Sequence, residues 1–92
     1  MAKVIVKMRV MPENPEVDLE ALEKTLREKI EAFSGIPVNN VQVSPVAFGL
    51  KALDITFAVE ESKGDTEPLE EELSGIEGVN SVEVTSVSRA LG

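Results

Sequence analysis

Covalent chemistry needs a nucleophile, a general base or a metal, and this 92-residue sequence lacks the two residue types that most often supply them. It has no Cys and no His. That removes thiol chemistry, zinc sites of the usual Cys/His type and the commonest base near neutral pH. Glu13, Glu16, Asp18 and Glu20 gather where a helix begins, and the positive end of a helix dipole accounts for them better than a general acid–base pair does. The run Glu70-Glu71-Glu72 has the character of a solvated helix face. The residue that stands apart is Phe48, in Ser44-Pro45-Val46-Ala47-Phe48-Gly49-Leu50-Lys51-Ala52-Leu53. Pro45 cannot donate to a central ladder and Gly49 tolerates positive φ, so a turn or bulge is expected between two strands. An aromatic on that turn, flanked by the small Ala47 and Gly49, is a candidate anchor for a partner's pocket. The other reading is a ring that folds back and plugs the open end of the core. The residues alone leave both open.

A formal charge of −8 repels nucleic-acid phosphates overall, so a protein partner is the more natural expectation. Ninety-two residues suffice for one two-layer core, with no room for a second domain. The opening Met1-Ala2-Lys3-Val4-Ile5-Val6-Lys7-Met8-Arg9-Val10 places a cation every few residues. It therefore resembles neither a signal peptide nor a membrane span, and a soluble cytoplasmic protein is expected.

The elements that position Phe48 follow from periodicity. Residues 2–11 alternate Ala2, Val4, Val6, Met8 and Val10 with Lys3, Ile5, Lys7, Arg9 and Met11, which is a strand with one apolar face. Pro12-Glu13-Asn14-Pro15-Glu16 is a loop. Asp18 can cap a helix over residues 18–34. Val17 and Leu22 have the spacing of a hydrophobic staple, Leu19, Leu22, Leu26, Ile30 and Phe33 form the apolar stripe, and Gly35 is the stop. Val41 and Val43 mark a second strand, made an outer one by Pro45. Leu53, Ile55, Phe57 and Val59 mark a third, paired with the second as a hairpin. Residues 61–65 form a turn, Pro68 takes the first position of a second helix, Leu69, Leu73 and Ile76 face inward, and Gly75 and Gly78 end it. Val79, Val82 and Val84 begin a last strand reaching about residue 88. Val87 is out of step with them, which predicts a bulge or a change of face.

Two β-α-β units with a hairpin between them give an α+β, ferredoxin-like β-α-β-β-α-β sandwich: a four-stranded antiparallel sheet with two helices on one face. Right-handed crossovers place the first strand between the fourth and the third. The open face then carries Lys3, Lys7 and Arg9 beside Asp54, Thr56, Glu60, Glu83 and Thr85, and cross-strand pairing is the ordinary use of such charges. This fold hosts many activities. An RNA-recognition version needs aromatics on the open face, where this chain has none. A metal carrier needs a thiol pair in the first loop, and a phosphatase needs an arginine there. Neither is present.

The run Pro45-Val46-Ala47-Phe48-Gly49-Leu50-Lys51-Ala52-Leu53, the opening Lys3-Val4-Ile5-Val6-Lys7-Met8-Arg9-Val10-Met11-Pro12 and the ending Gly78-Val79-Asn80-Ser81-Val82-Glu83-Val84 together resemble the archaeal translation elongation factor 1-beta family. The most specific part is the Pro-x-Ala/Gly-Phe-Gly-x-Lys-x-Leu run, also recognisable in the eukaryotic exchange domain. The resemblance implies a single guanine-nucleotide exchange domain over residues 1–92 that releases GDP from elongation factor 1-alpha and lets GTP load, with no cofactor of its own. It implies that Phe48 enters a pocket on that GTPase, with Ala47, Gly49 and Lys51 as its partner-binding surround. The eukaryotic members end in a tail whose penultimate lysine reaches toward the magnesium and phosphate site. Here the chain ends Val87-Ser88-Arg89-Ala90-Leu91-Gly92, so Arg89 is the nearest candidate cation.

Exchange of this kind needs no covalent step: a factor that prefers the nucleotide-free GTPase weakens nucleotide binding by the same factor. The chain itself, without a P-loop, is expected not to bind GTP. The rival class is a small-molecule regulatory domain, two copies of which would pair edge to edge around an amino acid. A third is an interaction module of a larger assembly. A monomer is expected under the exchange reading, because Pro45 shields the outer strand and the apolar stripes are used in the core.

Overall fold

The computed structural model describes residues 3–63 and 66–90. Ala2 of the first strand, Gly64 and Asp65 of the turn, and Leu91 and Gly92 at the end lie outside the described residues. The order is β1 (Lys3–Pro12), α1 (Leu19–Ser34), β2 (Asn40–Pro45), the turn Ala47–Gly49, β3 (Lys51–Glu60), a 3₁₀ turn Glu61–Lys63, α2 (Glu67–Ser74) and β4 (Val79–Ala90). The strands form one antiparallel sheet in the order β2-β3-β1-β4, as right-handed crossovers require.

The two central strands supply the floor of the core. Val6, Met8 and Val10 of β1 and Leu53, Ile55, Phe57 and Val59 of β3 are buried, together with Leu22, Leu26 and Ile30 of α1 and Leu69 and Leu73 of α2. Leu19 and Phe33 sit half-buried at the margins of the α1 stripe. The cap of α1 is the one its sequence encodes. Asp18 Oδ1 accepts hydrogen bonds from the backbone N–H groups of Glu20 and Ala21 at 3.1 and 3.2 Å. At the other end Gly35 takes φ 73° and donates its N–H to the Glu31 carbonyl, a left-handed stop that a residue with a Cβ adopts only under strain.

Two details differ from the sequence expectation. Pro68 is the second residue of α2, because Glu67 already has helical geometry, and Ile76 lies beyond the helix end. Strand β4 runs on to Ala90, so Arg89 is a strand residue opposite Val4 rather than part of a trailing tail. The irregularity expected near Val87 is present as a bulge. Lys7 pairs with Ser86 and Met8 with Val84, which leaves Thr85 as the extra residue, bridged by its hydroxyl to the Lys7 carbonyl. The inserted residue brings Val87 opposite Val6, on the helix side, where it remains 59% exposed.

Candidate functional site

Phe48 lies at the tip of the β2–β3 hairpin with 93% of its surface in solvent. It does not plug the core; the buried aromatic of this chain is Phe57, on β3 opposite Val6. The turn has a defined geometry. Phe48 has φ 63° and ψ 29°, Gly49 follows with φ 77°, and the Leu50 N–H donates to the Ala47 carbonyl. Two consecutive left-handed residues inside such a bond are the signature of a type I′ hairpin turn. Position one of that turn favours Asn, Asp or Gly. Phe48 is the only non-glycine with positive φ among the described residues. Its ring thus stands in water on a backbone that an L-residue occupies only at a cost, a combination that packing within this chain does not explain.

Ala47, Gly49 and Lys51 share this end of the molecule and are exposed. Beside the turn is a cleft of about 240 Å³ lined by Pro12, Asn14, Pro15, Val17, Leu19, Gly49 and Lys51. The β1–α1 loop therefore borders the Phe48 turn, with Asn14 and Pro15 reaching the same cleft as Lys51. Composition gave no sign of these loop residues. The signal available was topological, since the end of β1 must lie beside the start of β3.

On the open sheet face Arg9 grips Asp54 through Nε at 2.8 Å and Nη2 at 3.2 Å, and the Ser44 hydroxyl donates to the same carboxylate. The Arg9 bond first, then the Ser44 bond, holds the Asp54 carboxyl below the usual range, and the same pairing raises the Arg9 pKa. This network ties β2, β3 and β1 together, the cross-strand pairing expected of these charges. Among the described residues there is no group of three or more acids able to hold a metal ion, and no helix is long and apolar enough to cross a membrane.

Arg89 is not near Phe48. It pairs with Val4, whereas Lys51 lies two residues before Leu53, the partner of Val10. Six residue steps along β1 separate those pairs, roughly 20 Å at strand rise, and the turn lies farther still. The guanidinium instead meets Glu61, Nη2 to Oε1 at 2.6 Å. The candidate residues therefore form two regions at opposite ends of the sheet in a molecule measuring 41 × 21 × 18 Å.

Residues 5–90 match the EF-1 guanine nucleotide exchange domain. The chain belongs to that family. It is 46% identical over 91 residues to elongation factor 1-beta of Methanothermobacter thermautotrophicus, across 99% of this chain and all of that protein. It is likewise 43% identical over 91 residues to the elongation factor 1-beta of Methanosphaera stadtmanae and 43% over 90 residues to that of Staphylothermus marinus. Membership in the exchange-domain family makes guanine-nucleotide exchange on EF-1 the activity to be explained, in agreement with the resemblance carried by the Phe48 run.

Proposed function

We propose that this exchange-domain protein releases GDP from elongation factor 1-alpha by docking with two separated regions, Phe48 entering a pocket of the GTPase and Arg89 acting near its magnesium and phosphate site. The observation that carries the reading is Phe48, 93% exposed at φ 63°. The hydrogen-bonded turn presents the ring already clear of the core, so no packing within this chain is lost when a partner takes it. Ala47 and Gly49 leave it free of neighbours, and Lys51 supplies a cation at the rim. Arg89 brings a charge that competes electrostatically with a bound cation. Contacts that form only with the nucleotide-free GTPase weaken GDP binding by linkage.

The chain does this without covalent chemistry of its own, as a monomer in the cytoplasm, touching neither nucleic acid nor membrane. The net charge of −8 and the end of the β2 edge at Pro45 support that view. The direct test is release of a fluorescent GDP analogue from elongation factor 1-alpha of the same source. Saturating exchange protein is expected to accelerate release, and an unchanged rate would overturn the reading.

A further inference from the structure

The Arg89–Glu61 pair is built from two elements brought together only by the sheet. Arg89 sits on β4 opposite Val4, and Val4 pairs in turn with Val59 of β3. Glu61 opens the 3₁₀ turn two residues beyond Val59. The guanidinium thus reaches across the first residues of β1 to find a carboxylate. Beside it runs a groove of about 230 Å³ lined by Val4, Val6, Val59, Glu60, Glu61, Thr66 and Val87. Both charged side chains are open to water, Arg89 at 70% and Glu61 at 43% exposure, and the contact uses a single Nη2–Oε1 bond. A pair in that setting is held weakly and exchanges readily for another anion.

We infer that Glu61 is a positioning residue that holds Arg89 against the sheet in the free protein and gives it up when an anion of the GTPase site, a phosphate or a carboxylate, takes its place. The inference rests on the proposed role of Arg89. A guanidinium fork suits either anion, and replacing one carboxylate contact by a bidentate one favours the complex. While the pair is closed, the cation is neutralised by Glu61. Glu61 therefore lowers the exchange protein's apparent affinity for its target without taking part in the exchange itself.

The test is kcat/KM for GDP-analogue release with the wild type, Glu61→Gln, Glu61→Asp, Arg89→Ala and the double variant Glu61→Gln/Arg89→Ala, each checked for an unchanged melting curve. Glu61→Gln is expected to raise kcat/KM about two- to fivefold, the range set by an exposed ion pair. The gain should lie mainly in KM and shrink at high salt. Glu61→Asp, which keeps a carboxylate, should stay near the wild-type rate. The double variant should match Arg89→Ala alone. A Glu61→Gln variant no faster than the wild type, with Arg89→Ala impaired, overturns the holding role and leaves the Arg89 reading intact. A gain that persists without Arg89 reports plain acid–anion repulsion and also overturns it. If Arg89→Ala exchanges at the wild-type rate, the Arg89 reading fails and the holding role falls with it.

Discussion

Phe48 combines two features that folding alone disfavours: a ring in water and a left-handed backbone that costs an L-residue about 1–2 kcal/mol. Three substitutions separate its roles. Phe48→Ala keeps a Cβ and loses no burial, so stability should move by less than about 0.5 kcal/mol. Exchange, however, should fall by roughly thirtyfold or more, the loss of a hot-spot contact of about 2 kcal/mol. Phe48→Asn suits the turn better and should raise the melting temperature by a few degrees while exchange is lost just as fully. Phe57→Ala, in contrast, empties a fully buried site and should cost about 3–5 kcal/mol. Thermal melts beside GDP-release assays measure all three. Equal melting losses for Phe48→Ala and Phe57→Ala would refute the anchor.

At the scale of elements, local signals and tertiary packing share the work unevenly. Helix α1 carries its own instructions, from Asp18 through the Leu22, Leu26 and Ile30 stripe to Gly35. Asp18→Ala leaves two N–H groups without their acceptor and should cost about 1 kcal/mol, read as a lower midpoint in urea with an unchanged slope. Helix α2 is less explicit. The Thr66 hydroxyl bonds the Glu70 carboxylate instead of a backbone N–H, so its eight residues depend on Leu69 and Leu73 packing into the core. In β4 the out-of-step Val87 announced an irregularity. Only the pairing with β1 assigns the extra residue to Thr85, because an unpaired residue is defined by its neighbour strand.

For the whole molecule, the consequence of a long antiparallel sheet is that the hairpin tip and the end of β4 point to opposite ends. A GTPase engaged by both must span more than about 20 Å of sheet. Sites that far apart, touching no common residue of this chain, contribute independently. The double variant Phe48→Ala/Arg89→Ala should therefore lose the product of the two single losses in kcat/KM, within about twofold. A double variant no worse than the poorer single one would show that the two regions act as one. Raising free magnesium should slow the wild type more than Arg89→Ala if the guanidinium competes with the metal.

The sequence by itself determined the elements and their order, because each depends on residues near one another in the chain. Alternation fixes the faces of β1 and β3, Asp18 and Gly35 bound a helix, and Pro45 and Gly49 set a turn around Phe48, whose exposure only the structure decided. The tertiary structure decided which of these meet. Asn14 and Pro15 join Lys51 around one cleft, 36 or more residues apart in sequence, since the end of β1 adjoins the start of β3. Glu61 reaches Arg89 across 28 residues because both lie beside the first residues of β1. Nothing in either segment's composition names its partner. Strand order and register do, and register is a property of the assembled sheet, where slipping one residue would turn every buried side chain outward.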